Sequence, residues 1–316
     1  MPILILLLSL AVLILLIALV CFFMAFYSAP QKPTGPDEYP LPVGEIYEPH
    51  RDVMVQWMKE VRAMPHRELS ITTFDGLTLR GKFYEYAPGA PMEIQFHGYR
   101  GNAERDLCGG VQRCFALGRS VLLVEQRASS GEGRVITFGV REHRDCLAWV
   151  DLAVKTFGED VSIILTGISM GATTVLLAAG QPLPKQVKGV LADCGFSSAE
   201  AIIRKVIAQL HLPAGLVWPF VRLGARLYGG FDPVESDVPA AMTRCQVPVI
   251  FFHGERDDFV PCAMSRENYE ACPTAKALVT IPGAGHGLSY ILDPAGYLQA
   301  AAEFFTANGV PTEIVK

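Results

Sequence analysis

A chain of 316 residues, half of them hydrophobic, with 27 basic against 32 acidic side chains and a net charge of −5, is long enough for one large domain or two small ones. It is too apolar to be disordered by charge, and it lacks the positive excess that a nucleic-acid-binding surface needs, so no nucleic-acid partner is expected. The apolar residues are unevenly spread: residues 1–31 contain no charged side chain, and 25 of the first 27 residues are apolar or aromatic.

The run from residue 3 to residue 27 is broken by Ser9. As a helix it would span roughly 37 Å, more than the ~30 Å hydrocarbon core of a bilayer. A cleaved signal peptide would want a basic start, a shorter run and small residues before the cut. Here no Lys or Arg precedes the run, and Ala29 is followed by Pro30. Ala18-Leu19-Val20-Cys21 is a poor lipoprotein box, because bulky Val20 precedes the cysteine. Residues 1–27 are therefore expected to form an uncleaved single-span membrane anchor. The terminal amine and Lys32 are the nearby positive charges, so the side of the membrane that holds the domain is not fixed. Residues 28–46 contain five prolines and read as an extended tether. The anchor supplies none of the candidate catalytic groups, so a chain starting near Gln31 is expected to be soluble and active.

Residues 47–316 read as one folded domain. An amphipathic helix is predicted over 48–63. Strands 70–74 and 77–86 flank Asp75-Gly76, a tight-turn pair. Beyond them the pattern alternates. Strands are predicted at 93–96, 120–125, 161–165, 187–192, 247–252 and 277–281. Helices are predicted at 102–117 (with Asn102 as N-cap), 141–157, 170–179, 262–272 and 297–308, with a longer helical and apolar stretch over 198–228. Short apolar strands alternating with helices predict an α/β fold, a mostly parallel sheet covered on both faces. Eight scattered cysteines form no CxxC pair, and the seven outside the anchor are an odd number, so buried free thiols are expected rather than a disulfide framework.

The predicted strand ending at Leu165 runs through Gly167-Ile168-Ser169-Met170-Gly171 into a helix. A serine on so sharp a turn needs small residues two positions to either side, because side chains there would strike the backbone. Serine is a poor nucleophile until a base takes its proton. Among seven histidines, His286 in Gly283-Ala284-Gly285-His286-Gly287 follows the last predicted strand. An orienting acid is sought in His253-Gly254-Glu255-Arg256-Asp257-Asp258-Phe259-Val260-Pro261, where Asp257 and Asp258 compete, with Asp193 a third candidate. In Phe96-His97-Gly98-Tyr99-Arg100-Gly101-Asn102, the Tyr99 N–H paired with that of Met170 could hold a developing oxyanion. His97 reads as a brace for that turn.

In this order and spacing the four motifs closely resemble the α/β-hydrolase superfamily over about residues 65–310. They look like its bacterial serine-hydrolase branch, grouped with serine-aminopeptidase-like and bud-emergence-protein-like hydrolases and often membrane-anchored. The resemblance extends to Ile136-Thr137-Phe138-Gly139 with Glu142 and Asp145. It implies an eight-stranded, mostly parallel sheet with a helical cap at about 197–232 that sets substrate preference. It further implies Ser169 as nucleophile, His286 as base and Asp257 as acid, with no metal or organic cofactor. Ala172 and Arg127-Ala128-Ser129-Ser130-Gly131 depart from the family's usual glycines, and the second departure suggests a differently shaped loop. The implied activity is ester hydrolysis through an acyl-enzyme, on a small-molecule ester or lipid-like substrate. A serine aminopeptidase, thioesterase or acyltransferase on the same fold is the alternative, and a binding protein on an inactive scaffold would need a broken triad. The predicted cap holds Glu200 and Asp232 against Arg204, Lys205, Arg222 and Arg226, which favours an uncharged or anionic acyl chain over a cationic amine.

Overall fold

The structure, a computed structural model, describes residues 1–29, 34–129, 132–310, 312, 314 and 315. The first apolar run is helix α1 (Pro2–Ala25), followed by a 3₁₀ turn (Glu45–His50) and α2 (Arg51–Ala63). Strands β1 (Arg67–Thr72) and β2 (Thr78–Tyr84) form the expected hairpin around Asp75 and Gly76, the glycine at φ +88°.

Six further strands follow: β3 (Met92–Phe96), β4 (Ser120–Val124), β5 (Ile163–Ile168), β6 (Val187–Asp193), β7 (Val249–Gly254) and β8 (Lys276–Ile281). The eight strands form one sheet in the order β1-β2-β4-β3-β5-β6-β7-β8. β2 is antiparallel to both of its neighbours and every other pairing is parallel, so the sheet is mixed, with its antiparallel part confined to the hairpin edge.

The connecting helices are α3 (Ala103–Asp106), α4 (Gly110–Ala116), α5 (Glu142–Phe157), α6 (Met170–Ala179), α7 (Ala199–Gln209), α8 (Ala214–Gly224), α9 (Val238–Met242), α10 (Cys262–Ala271), α11 (Ser289–Leu292) and α12 (Pro294–Ala307). A π turn (Ala225–Gly229) extends α8. Alternation along β5 shows how both faces are covered: Ile163 and Leu165 pack with Trp149 and Val175 of α5 and α6, while Ile164 packs with Tyr297 and Phe305 of α12. The helix predicted over 102–117 is interrupted. Asn102 does cap it, accepting from the Arg105 amide at 2.9 Å, but Gly109 turns left-handed at φ +83°, with Trp57 of α2 packed where a β-carbon would stand. All eight cysteines are free thiols, five of them buried.

Within the sheet lies a charge that the sequence pattern did not flag. Glu93 on β3 is fully buried and bound by Arg113 (2.5 Å), Arg119 (2.6 Å) and the Thr166 hydroxyl (2.9 Å). Burial alone would push this carboxyl up; the two guanidiniums outweigh it and hold the group at about 2. A carboxyl lowered on folding contributes stability that is present above its unfolded value and lost as pH falls through the folded one. Glu93→Gln leaves two buried cations short of a counter-charge. We expect a loss of about 3–5 kcal/mol at neutral pH, read as a shift of the denaturant midpoint. The gap between variant and wild type is expected to narrow as pH drops below the unfolded carboxylate range toward 2.

The chain does not leave α1 as a free tether. Tyr27 forms a bridge with Val135, the Ser28 amide donates to the Arg134 carbonyl at 2.8 Å, and the Ile136 amide donates to the Phe26 carbonyl at 2.8 Å. Phe26 is 0% exposed, edge-on to both Phe138 and Phe231. Residues 30–33, near the start of the predicted tether and including Gln31 and Lys32, lie outside the described residues.

Candidate active site

Every candidate group stands at the carboxyl end of a parallel strand, where loops of an α/β sheet converge on a common crevice. Ser169 joins β5 to α6 at φ 56°, ψ −121°, a conformation that a side-chain-bearing residue holds only under constraint. The flanking glycines explain how the turn closes. A β-carbon at Gly167 would sit 2.2 Å from the Gly171 carbonyl, and one at Gly171 would sit 2.0 Å from the Phe96 carbonyl oxygen. The Ser169 amide donates to the Asp193 carbonyl at 2.8 Å, which ties the turn to β6.

The Ser169 hydroxyl lies 2.9 Å from His286 Nε2, and His286 Nδ1 lies 2.7 Å from Asp257 Oδ2. With Nδ1–H donating to the carboxylate, Nε2 is left as an acceptor for the serine proton. Asp257 is buried and accepts from the Phe259 and Val260 amides through Oδ1 at 2.9 and 2.7 Å. Burial works to raise this carboxyl, but hydrogen bonds from His253 and His286, the imidazole charge and the Val260 amide hold it well below the usual range. Of the three acids considered from the sequence, Asp257 alone contacts His286 among the described residues. Asp258 is exposed, and Asp193 is buried with its carboxylate on the Ser289 hydroxyl at 2.8 Å. The Cys194 thiol joins Asp257 and His286 in a group whose ligand atoms lie within 4.8 Å of one another. Burial raises that thiol well above its ordinary range.

The turn after β3 lies against the serine. A β-carbon at Gly98 would come 3.5 Å from Ser169 Cβ, and the Gly98 amide is held by Asp106 Oδ2 at 3.1 Å. Among the described residues neither the Tyr99 nor the Met170 amide donates to a protein acceptor across a turn or loop. His97 braces the turn as expected: its Nδ1–H donates to the Gly98 carbonyl at 2.8 Å, and its Nε2 accepts the Gln126 amide at 3.0 Å. At the departure after β4, Ala128 adopts φ 64°, the left-handed backbone that a glycine there would take without a steric penalty. Arg127 pairs with both Asp145 and Asp75. Ser130 and Gly131 lie outside the described residues.

A cavity of about 530 Å³ opens on Ser169 and His286. Its walls correct one expectation. No residue of 197–232 lines it; Pro42, Val43, Gly44, Ile46 and Tyr47 with Met54 and Trp57 form one wall, and the rest comes from the ends of β3, β5 and β6, the turns after β3, β5, β7 and β8, and helices α3, α4, α11 and α12. Helices α7 and α8 instead pack on Phe138, Phe196, Val260 and Met264 beside the site. Two supports were given no role by the sequence pattern. Tyr47, 239 positions away, donates its hydroxyl to the His286 carbonyl at 3.0 Å. Fully buried His253 donates from Nε2 to the Val260 carbonyl at 2.8 Å and approaches Asp257 Oδ2 at 3.3 Å.

The end of α1 also reaches this region. The Tyr99 hydroxyl donates to the Ala25 carbonyl at 2.8 Å, and Arg100 Nη2 donates to the carbonyls of Met24 at 2.9 Å and Tyr27 at 2.7 Å. The expectation that a chain starting near Gln31 keeps full activity therefore changes. Losing Phe22 and Phe26 from the core is expected to cost several kcal/mol, since burying one phenylalanine is worth about 1.5–3 kcal/mol, and it frees the Tyr99–Arg100 turn. The shortened chain is expected to melt lower and to show a reduced kcat relative to the full chain in detergent.

The strand order, the crossovers and the serine turn define the α/β-hydrolase fold, and the chain has that fold. No family model matches it. Among curated proteins it is 29% identical over 200 residues to the uncharacterized protein YqkD of Bacillus subtilis, a match over 62% of this chain and 65% of that protein's length. Among solved structures it is similar to an esterase of Pyrococcus furiosus (TM-score 0.64, 22% identity, 87% of this chain and 98% of that one). It is also similar to a puromycin-hydrolyzing peptidase of Mycobacterium tuberculosis (TM-score 0.60, 19% identity, 78% of this chain and 39% of that one). A third likeness is to Est1E of Butyrivibrio proteoclasticus (TM-score 0.55, 21% identity, 76% of this chain and 98% of that one).

Proposed function

We propose that this chain is a serine hydrolase that cleaves carboxylic esters and is held to a membrane by α1. The observation that carries the reading is the continuous relay from Ser169 through His286 to Asp257 at 2.9 and 2.7 Å, with the cavity opening on it. In the reaction, His286 Nε2 takes the Ser169 proton while Oγ bonds to the ester carbon. The negative charge on the carbonyl oxygen rests on the Tyr99 and Met170 amides. When the C–O bond to the alcohol breaks, His286 returns the proton to the leaving oxygen. Water, deprotonated by His286, then attacks the acyl-enzyme, and Ser169 departs with the proton as the carboxylic acid is released. Asp257 keeps the imidazole in the productive tautomer and stabilises its cation.

The lining favours an ester over a peptide with a free amino terminus. An ammonium wants paired carboxylates in a partly desolvated site. Of the two cavity-lining carboxylates among the described residues, Asp106 is paired with Arg105 at 2.6 Å, and Asp193 is buried, raised by burial and bound to Ser289. Ile46, Met54, Trp57 and Leu107 supply apolar wall for an acyl or alcohol chain. We expect short- to medium-chain nitrophenyl esters to be cleaved and aminoacyl nitroanilides to be nearly inert, measured as kcat/KM on the full chain in detergent. A preference for Pro- or Leu-nitroanilide over every ester would replace this reading with an aminopeptidase.

A further inference from the structure

We propose that the α7–α8 corner is a membrane-embedded foot: the bilayer covers the exposed apolar face of α8 as well as α1, and holds the domain rigidly against the lipid surface. This rests on the reading of α1 as a membrane span and adds to it a surface that α1 alone does not require.

The argument begins with length. Residues 2–13 of α1 are exposed along their whole length, and partial burial against the domain starts at Ile14. Twelve helical residues rise roughly 18 Å, against a hydrocarbon core of ~30 Å. The missing ~12 Å is about eight more residues, and any tilt of the helix lengthens the stretch needed. For α1 to span, the segment running from Ile14 toward Phe22 must therefore also lie at hydrocarbon depth. That segment is not free. A β-carbon at Gly224 would lie 2.3 Å from the Ala18 carbonyl oxygen, and the Tyr228 hydroxyl donates to the Leu15 carbonyl at 3.1 Å. Whatever depth Leu15–Phe22 reaches, the end of α8 and its π turn reach with it.

The surface carried to that depth is suited to it. Between Lys205 and Arg222 there is no Asp, Glu, Lys or Arg. Leu216 (71% exposed) and Leu227 (53% exposed) lie with half-buried Phe220 and Leu223 at positions i, i+4, i+7 and i+11, one face of a helical run. In water this stripe is exposed apolar surface; in the interface each leucine is removed from water, which is favourable in proportion to the area covered. The close approach at Gly224 is the small-residue contact by which helices pack within lipid. The charges nearest this face, Arg222 and Arg226, both bind Asp232 and leave one net positive charge, and their long side chains can reach toward the headgroup layer and its anionic lipid. The foot adjoins the site, because Lys205 of α7 binds the carbonyls of Asp258 and Phe259, and Phe259 lines the cavity.

The test uses the full chain in vesicles of phosphatidylcholine and phosphatidylglycerol. An environment-sensitive fluorophore is placed in turn at Leu8→Cys, Leu216→Cys, Leu227→Cys and, on the exposed surface away from α8, Lys188→Cys. Each is read against the unsubstituted chain treated alike, which corrects for the partly exposed native thiols. Loss of fluorescence to bromine-bearing lipids at Leu8, Leu216 and Leu227, with iodide quenching confined to Lys188, is the expected result. If Leu8 is quenched by lipid while Leu216 and Leu227 are quenched by iodide, the span stands and the foot is overturned. If Leu8 itself is quenched by iodide, the membrane reading fails and takes the foot with it. Shielding of Leu216 from both quenchers would mean that protein covers the face, a second copy for instance, and would equally overturn the proposal.

Discussion

Ser169→Ala is expected to leave a folded chain with its thermal midpoint within a degree or two of wild type, and with ester hydrolysis reduced by about 10⁴–10⁶-fold. The fold effect is small because the hydroxyl makes a single described hydrogen bond, to His286, and the methyl of alanine fits where Cβ already stands. The activity effect is large because no other described hydroxyl shares that contact. What remains would come from binding and from the amides of Tyr99 and Met170, which the substitution leaves in place. Measuring turnover and unfolding on the same preparation separates loss of the proposed nucleophile from loss of the protein.

Asp257→Asn is expected to cost on the order of 10⁴ in kcat, and Asp258→Asn no more than a few-fold. The difference follows from how the Asp257 oxygens are used. Oδ1 faces two backbone donors, Phe259 and Val260, and Oδ2 faces His286 Nδ1. An asparagine must keep its carbonyl on the two amides, because turning its NH₂ toward them would oppose donor to donor. That leaves the NH₂ facing Nδ1, which must then accept. The imidazole proton moves to Nε2, which can no longer take a proton from Ser169. The Asp258 side chain is exposed, and what holds this stretch to α7 is its carbonyl, bound by Lys205. Comparable losses in the two variants would mean that the carboxylate contact on His286 does not control the tautomer.

Much of the site was legible because it depends on local rules. The glycines around Ser169 are dictated by backbone clearance of about 2 Å, and such clearance shows in sequence as G-x-S-x-G. Strand alternation follows from periodicity, and His286 stands out because the serine–acid–histidine order of the resembled fold puts the base after the last strand. The choice between Asp257 and Asp258 was not decided by their neighbours, since the two carboxylates are adjacent and only the turn decides which one points inward. Tyr47 and Glu93 escaped for a different reason. Their partners lie 239 and 20 or more positions away, and no periodicity records such pairings. The roof of the cavity was misjudged on the same ground. The apolar residues of 198–228 are what a cap requires, but they are equally what a helix packed against α1 and Phe138 requires, and composition does not distinguish the two. The first apolar run was legible as one long helix, yet its last turn belongs to the domain's core, which shows only in the placement of Phe22 and Phe26.

The most direct measurement is to map a covalent adduct. The full chain in detergent is treated with a fluorophosphonate, digested and sequenced by mass spectrometry. The expected result is a single phosphonylated serine, Ser169, with labelling and ester turnover lost in step as reagent is added. An adduct on a different residue, or continued ester turnover with Ser169 fully modified, would contradict the assignment on which the proposed mechanism depends.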